Sequence, residues 1–306
     1  MVAIPRSNLC SIKQQHKVIK KIYMNFSPLM LGTVQFGLNY GIANVTGKPS
    51  YDTVKEILKT AYDLGITALD TAAAYGDSEE VLGKALTELR IKDKVTVVTK
   101  VPPIPENTDP EKFIKDSLIS SLKRLQLDVI PVVLFHNECN VNYFDILQSF
   151  IKTGLIKEAG VSLDSLEYAN KAEDIKYLQV PCNVLDHRFD NITKDATKKR
   201  VFIRSVYLQG MLLMDKSKIP FPEIVFYREK LEQFGLPLAE LCMRYLLSIS
   251  NKVSVLTGVD TVEQLKENAT LAAKGKLDDS LMQEISSAVP LLSENLIRPK
   301  LWNIAK

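Results

Sequence analysis

Four residues of this chain have the types needed for a proton-transfer site: Asp70, Tyr75, Lys100 and His136. Asp70, Lys100 and His136 each close a short apolar run, and Tyr75 follows Asp70 by five residues. A phenol with an ordinary pKa of about 10 exchanges protons poorly near neutrality. An ammonium beside it favours the phenolate and makes the phenol a better acid, and a carboxylate keeps that ammonium charged and oriented. A histidine within hydrogen-bond reach can orient a carbonyl oxygen and relay a proton. The set therefore reads as a proton donor aimed at a developing alkoxide, which suits carbonyl reduction if another group supplies hydride. Taken singly, the lysine also reads as a solvated strand cap and the histidine as a structural residue. A strand-end lysine can instead form an imine, as in a Schiff-base lyase or aldolase. A regulatory subunit that binds a cofactor without turnover is a third reading.

The elements that must position these residues follow a repeating pattern. An apolar run over 66–69 leads into Asp70 and is read as a strand. Asp77 and Ser78 are cap candidates for the next helix, Glu79 and Glu80 suit its first turn, and Val81, Leu82, Ala85, Leu86 and Leu89 form its apolar face. Tyr75 then sits in a strand-to-helix loop. Strands are expected over 30–34, 66–69, 95–99, 129–135, 156–161, 178–183, 201–205 and 253–257, each followed by a helix. Val54, Ile57, Leu58, Ala61 and Tyr62 share one helical face, as do Leu238, Leu241, Cys242, Tyr245 and Leu246. Asp109-Pro110-Glu111 is a helix start with proline at the first helical position, and Ile114, Leu118, Leu122 and Leu125 carry its buried face.

The strand runs are continuous rather than alternating, as for strands covered on both faces. Eight such units predict an α/β fold, a parallel eight-stranded (β/α)8 TIM barrel, in which the polar strand ends are neighbours around one mouth. A doubly wound sheet would need a phosphate turn after the first strand, and Gly32-Thr33-Val34-Gln35-Phe36-Gly37 is not G-x-G-x-x-G. Nor is Gly41…Gly47-Lys48-Pro49-Ser50 a P-loop, because Pro49 stands where a magnesium-binding hydroxyl is required. A hairpin or loop is expected there.

Asp70-Thr71-Ala72, Tyr75-Gly76, Ser78-Glu79 and Leu82-Gly83 together resemble the signature of the aldo-keto reductases, in their short-loop bacterial form. Thr99-Lys100 and Phe135-His136 are similar to that family's second and third active-site segments, and the resemblance runs from about Leu31 to Asn268. It implies a (β/α)8 barrel using NADPH, with Tyr75 as acid, Lys100 and Asp70 tuning it, and His136 orienting the carbonyl. It implies cofactor contacts from Thr33 and Asp70, and from Ser162 and Gln179 to the carboxamide, with Leu163 where the family often has asparagine and Asn183 a further polar residue of the sixth strand. Ser205, Leu208, Gln209 and Gly210 resemble the pyrophosphate-side motif. Arg204 stands where many members place a tyrosine under the nicotinamide. Gly258, Val259, Gln264 and Asn268 are similar to the segment that grips the adenosine 2′-phosphate, though members often carry lysine and arginine at the positions of Gly258 and Gln264. The preference expected from this pattern is NADPH by about tenfold, through backbone N–H groups and Lys266, with NADH possible. Trp302, the only tryptophan, is placed either at the substrate mouth or on the barrel exterior.

The remaining bounds are broad. The 306 residues are 46% apolar and 25% charged, with a formal net charge of +3. That charge gives no reason to infer a nucleic-acid partner. No apolar run approaches the ~20 residues that span a bilayer. Cys10, Cys139, Cys182 and Cys242 show neither close pairing nor metal-ligand spacing, so free thiols and no metal are expected. Residues 1–23 carry five cations and no acid. Residues 1–26 are read as a basic, disordered extension, with organellar targeting as the alternative, and 27–306 as one barrel domain. The expected partner is a small-molecule carbonyl substrate, the expected location cytoplasmic, and the expected state a monomer or weak homo-oligomer.

Overall fold

The eight apolar runs become eight strands in the computed structural model, which describes residues 24–42, 44, 47–194 and 199–302. They are β1 (Leu29–Gly32), β2 (Ala68–Asp70), β3 (Thr96–Val101), β4 (Ile130–Phe135), β5 (Ile156–Ser162), β6 (Tyr177–Pro181), β7 (Arg200–Arg204) and β8 (Val253–Gly258). Each pairs in parallel with its neighbours in chain order, and β1 closes the ring against β8 from Leu29–Val255 to Gly32–Gly258. The fold is the expected (β/α)8 barrel. Among the described residues no helix is long and apolar enough to cross a membrane.

Side chains alternate between the two faces of a strand, so residues two apart share the barrel interior. Met30, Ala68, Val98, Val132, Leu134 and Phe202 form an interior cluster distinct from the larger core between strands and helices. Met24 and Phe26, at the end of the expected extension, pack against this cluster, Phe26 with its ring 5.5 Å from that of Phe202. The rest of that extension, residues 1–23 with Cys10, lies outside the described residues. Two residues beyond this interior layer, on the same strands, come Asp70, Lys100, His136 and Arg204. The β alternation alone therefore stacks the polar groups above an apolar floor, on the side of the barrel where the strands end.

Several boundaries differ from the sequence reading. β1 stops at Gly32 rather than at residue 34, because the backbone N–H and hydroxyl of Thr33 both donate to the Asp70 carbonyl, at 2.9 Å each, and Val34–Gly37 forms a helical turn. Asp70 and Lys100 lie within β2 and β3, not just beyond them. The segment after β5 folds as 3-10 turns (Leu166–Tyr168 and Asn170–Ala172) instead of an α-helix. Its entry is clamped by Glu138, whose carboxylate accepts from the N–H groups of Asp164 and Ser165 at 2.5 and 2.8 Å. Residues 38–50 carry no strand among those described, so the loop and not the hairpin follows β1. Cys139 is exposed and Cys182 and Cys242 are buried, all three as free thiols.

The loop that holds Tyr75 is fixed by close backbone approach. A Cβ added to Gly37 would sit 1.8 Å from the Tyr75 carbonyl oxygen, and one on Gly76 would sit 2.5 Å from that of Gly37. Gly76 also takes φ +56°, which favours glycine. Asp77 does not cap the helix Ser78–Glu88 with its side chain; it pairs with Lys48 at 2.5 Å. Ser78 is buried and its hydroxyl donates to the Thr33 carbonyl at 2.7 Å, tying this loop to the one after β1. Glu79, expected as a first-turn acid, is buried, accepts from the Thr99 and Ser121 hydroxyls and pairs with Arg124 at 2.6 Å.

Candidate active site

A buried ion pair lies at the centre of the site. The Lys100 ammonium donates to both carboxylate oxygens of Asp70 at 2.7 Å and to the Thr71 carbonyl at 2.9 Å. These three bonds use its three protons. Gln179 of β6 donates its amide to Asp70 Oδ1 at 2.8 Å, and Ser162 of β5 donates to Gln179 Oε1 at 3.4 Å. Four strands thus contribute to one network with its charges satisfied, the condition under which a buried pair is tolerated. Burial pulls the Lys100 pKa down while the Asp70 carboxylate opposes it.

Tyr75 lies over this pair, with the Lys100 nitrogen 5.1 Å from its ring centroid. His136 meets the tyrosine edge-on, with centroids 5.5 Å apart and planes at 87°. The structure thus brings together the four residues singled out from sequence. Their electrostatics differ from expectation. Burial, and then the Asp70 carboxylate, push the Tyr75 phenol well above its usual range, with Arg204 opposing. The Lys100 charge beside it is matched by Asp70, and the lysine's protons are committed below the ring.

Burial, followed by the Lys100 and Arg204 charges, pulls the His136 pKa down to about 3. The imidazole is therefore neutral at physiological pH, and its buried Nδ1 has no partner. The folded state resists protonation that the unfolded chain accepts below about 6.5, so His136 leaves stability intact above that pH and erodes it as pH falls from about 6.5 towards about 3. By NMR, the His136 ring is expected to show no titration between about pH 5 and 8. A midpoint near its ordinary value would contradict this environment.

A cavity of about 420 Å³ runs from Tyr75 and Asp70 past the loops after β1, β7 and β8. Of the residues expected to hold a cofactor, Thr33, Asp70, Gln179, Arg204, Ser205, Gln209, Gly210, Gly258, Gln264 and Asn268 line it. Ser162, Leu208 and Val259 do not. Ser162 orients Gln179 from below, and the Leu208 and Val259 side chains are buried in the core. Arg204 is not free to lie flat under a ring: its Nη2 donates to the Leu163 carbonyl at 3.0 Å and to Asp164 at 2.8 Å. Asn183 stands beyond the end of β6 and donates to the Ser205 carbonyl at 3.0 Å. Trp302 packs on Phe221, 5.6 Å between centroids, and is not among the lining residues.

The lining suits an extended, polar, phosphate-bearing nucleotide. Gln35 Oε1 and Thr257 Oγ1 are buried without partners beside Gly258, and such orphaned atoms call for an explanation. Ser205, Leu208 and Gln209 take φ +68°, +49° and +55°, strained values for non-glycine residues that mark a functional loop. Gln35, Tyr40 and Tyr207 also line the cavity and were not found from sequence, and Asp260, of the segment that begins at Gly258, lines it as well. Tyr40 and Gln209 bridge the β1 and β7 loops, with the Gln209 amide 3.4 Å from the Tyr40 hydroxyl. Asp164 was missed as well. It holds Arg204, Arg298 and Lys300 together, and no local pattern links residues so far apart.

The aldo/keto reductase family model matches residues 28–290. The chain is similar to D-arabinose 1-dehydrogenase of Saccharomyces cerevisiae, at 29% identity over 78% of this chain and 81% of that protein. It is similar to the NADH-specific methylglyoxal reductase of Escherichia coli, at 25% identity over 78% of this chain and 87% of that protein. Among solved structures, a putative aldo-keto reductase from Pseudomonas aeruginosa matches with a TM-score of 0.63 and 25% identity, over 81% of this chain and 90% of that one. The holo form of an aldo-keto reductase from Bacillus halodurans shares the fold, with a TM-score of 0.69 and 21% identity over 89% and 96% of the two chains.

Proposed function

Because this chain belongs to the aldo/keto reductase family, we propose that it is a nicotinamide-dependent oxidoreductase that reduces a small aldehyde or ketone with Tyr75 as proton donor. The observation that carries the reading is the convergence of Tyr75, His136 and the buried Lys100–Asp70 pair, of which Tyr75 and Asp70 line the cavity. A bound reduced nicotinamide supplies the hydride equivalent. Thr33, Gln179, Ser205, Gln209, Gly210 and Asn268 are the residues that would hold it along the cavity.

The residues of the chain then have separable tasks. Tyr75, with its pKa raised, keeps its proton throughout the physiological range and releases it only to a stronger base. An alkoxide developing on a carbonyl oxygen is such a base. Neutral His136 can donate or accept a hydrogen bond without adding a charge that would compete with the reaction. Asp70 and Lys100 fix each other and the ring above them, and Gln179 is held in one orientation by Asp70 and Ser162.

The imine reading of Lys100 loses its support here. Its amine is buried, fully hydrogen-bonded and paired, so it is neither accessible nor free to attack a carbonyl.

Steady-state oxidation of reduced nicotinamide against a panel of small carbonyl compounds tests the proposal. D-arabinose and methylglyoxal belong in that panel, because two similar proteins are named for them. Turnover of at least one compound is expected. Cofactor binding without turnover across the panel would instead support a regulatory subunit.

A further inference from the structure

We infer that the end of the cavity remote from Tyr75 selects NADH over NADPH, and that Asp260 sets the choice. This rests on the nicotinamide-dependent reading above. If the nicotinamide meets Tyr75, the adenosine half lies towards the opposite end, which is lined by Asp260, Gln264, Glu267 and Asn268. That end carries two carboxylates, and no lysine or arginine lines it among the described residues. The cavity's cation, Arg204, belongs to the Tyr75 end and is already paired with Asp164. Lys266, a candidate phosphate ligand from sequence, is not among the lining residues.

Two of the backbone donors that remained for a 2′-phosphate are engaged as well. The helix Val262–Ala273 begins here, and its start was expected to offer free N–H groups. The Asp260 N–H instead donates to Gln264 Oε1 at 2.7 Å, and the Gln264 N–H donates to the Thr261 hydroxyl at 3.3 Å. Glu263 adds an acid to the first turn. Position 258 supplies no side chain, and a Cβ there would meet the end of the Gln35 side chain, 2.4 Å from its Oε1. Asp260 itself is held in place, with Asn44 donating to its Oδ1 at 3.1 Å.

A phosphate monoester carries between one and two negative charges near neutrality. Placed here it would face two carboxylates. A ribose hydroxyl in the same place can donate to a carboxylate, the device by which an acid favours NAD and an arginine favours NADP on another nucleotide-binding fold. The same two carboxylates therefore repel one cofactor and accept the other.

Isothermal titration calorimetry of the full-length protein with NADH and with NADPH tests this without turnover. The wild type is expected to bind NADH at least ~10-fold more tightly, a ratio that narrows as salt rises from about 0.05 to 0.5 M and screens the repulsion. Asp260→Asn should narrow the ratio mainly by tightening NADPH, and Glu267→Gln should do so to a smaller degree. Glu267→Gln also serves if circular dichroism shows that the Asp260 variant does not fold. Tighter or equal NADPH binding by the wild type overturns the inference and leaves the reductase reading standing, as does an equal effect of both variants on the two cofactors. A folded wild type that binds neither nucleotide overturns both.

Discussion

Tyr75→Phe is expected to lower carbonyl reduction by a factor of ~10² or more while leaving nucleotide affinity nearly unchanged, the scale of a lost general acid. The substitution removes one hydroxyl and keeps the ring. The ring's neighbours, Lys100 below and His136 at its edge, are therefore retained, as is the close approach of Gly37 that fixes the loop. No other group in the site replaces the lost proton. His136 is neutral, and the protons of Lys100 are committed to Asp70 and Thr71. Near wild-type turnover in this variant would remove Tyr75 from the role assigned to it.

The second large effect falls on stability. Lys100→Met keeps most of the side-chain stem but leaves the Asp70 carboxylate buried, with the Gln179 amide still donating to it. Breaking a buried pair from one side typically costs ~3–5 kcal/mol, because the stranded charge has lost its counter-ion. At ~2–4 °C per kcal/mol for a larger domain, the Tm should fall by roughly 6–20 °C, with a loss of activity exceeding about tenfold. Asp70→Asn in the same protein should restore part of the stability, since a neutral amide replaces the stranded charge, but not the activity. An unchanged Tm in Lys100→Met, measured calorimetrically, would contradict the paired, buried geometry.

Local periodicity carried most of the architecture. The eight apolar runs and their intervening amphipathic faces sufficed for a parallel barrel, and the polar ends of three runs sufficed for the site, because β alternation leaves little freedom in where Asp70, Lys100 and His136 point. Less legible was anything decided by a distant partner. Ser78 and Glu79 look like helix-cap residues from sequence, yet both are buried struts, one to Thr33 and the other to Thr99 and Arg124. The end of β1 depends on a hydrogen bond from Thr33 to Asp70 that no local pattern encodes. The surroundings of Tyr75 were not legible for the same reason. The residue types suggested a cation acting on a phenol, whereas the structure neutralises that cation with Asp70 first and buries the phenol. Likewise, no local pattern shows that the Asp260 and Gln264 N–H groups at the start of the last helix are taken up by the Gln264 and Thr261 side chains.

The central claim is that the chain reduces a carbonyl carbon at the expense of a nicotinamide, with the oxygen protonated at Tyr75. The most direct measurement is mass spectrometry of the alcohol formed from a turned-over panel compound in ordinary water, using cofactor deuterated at the transferable C4 position. The account predicts one deuterium on the carbinol carbon, and product formation slowed ~10²-fold or more in Tyr75→Phe with the label still on carbon. An alcohol without deuterium, or a Tyr75→Phe protein that forms labelled product at the wild-type rate, would contradict it.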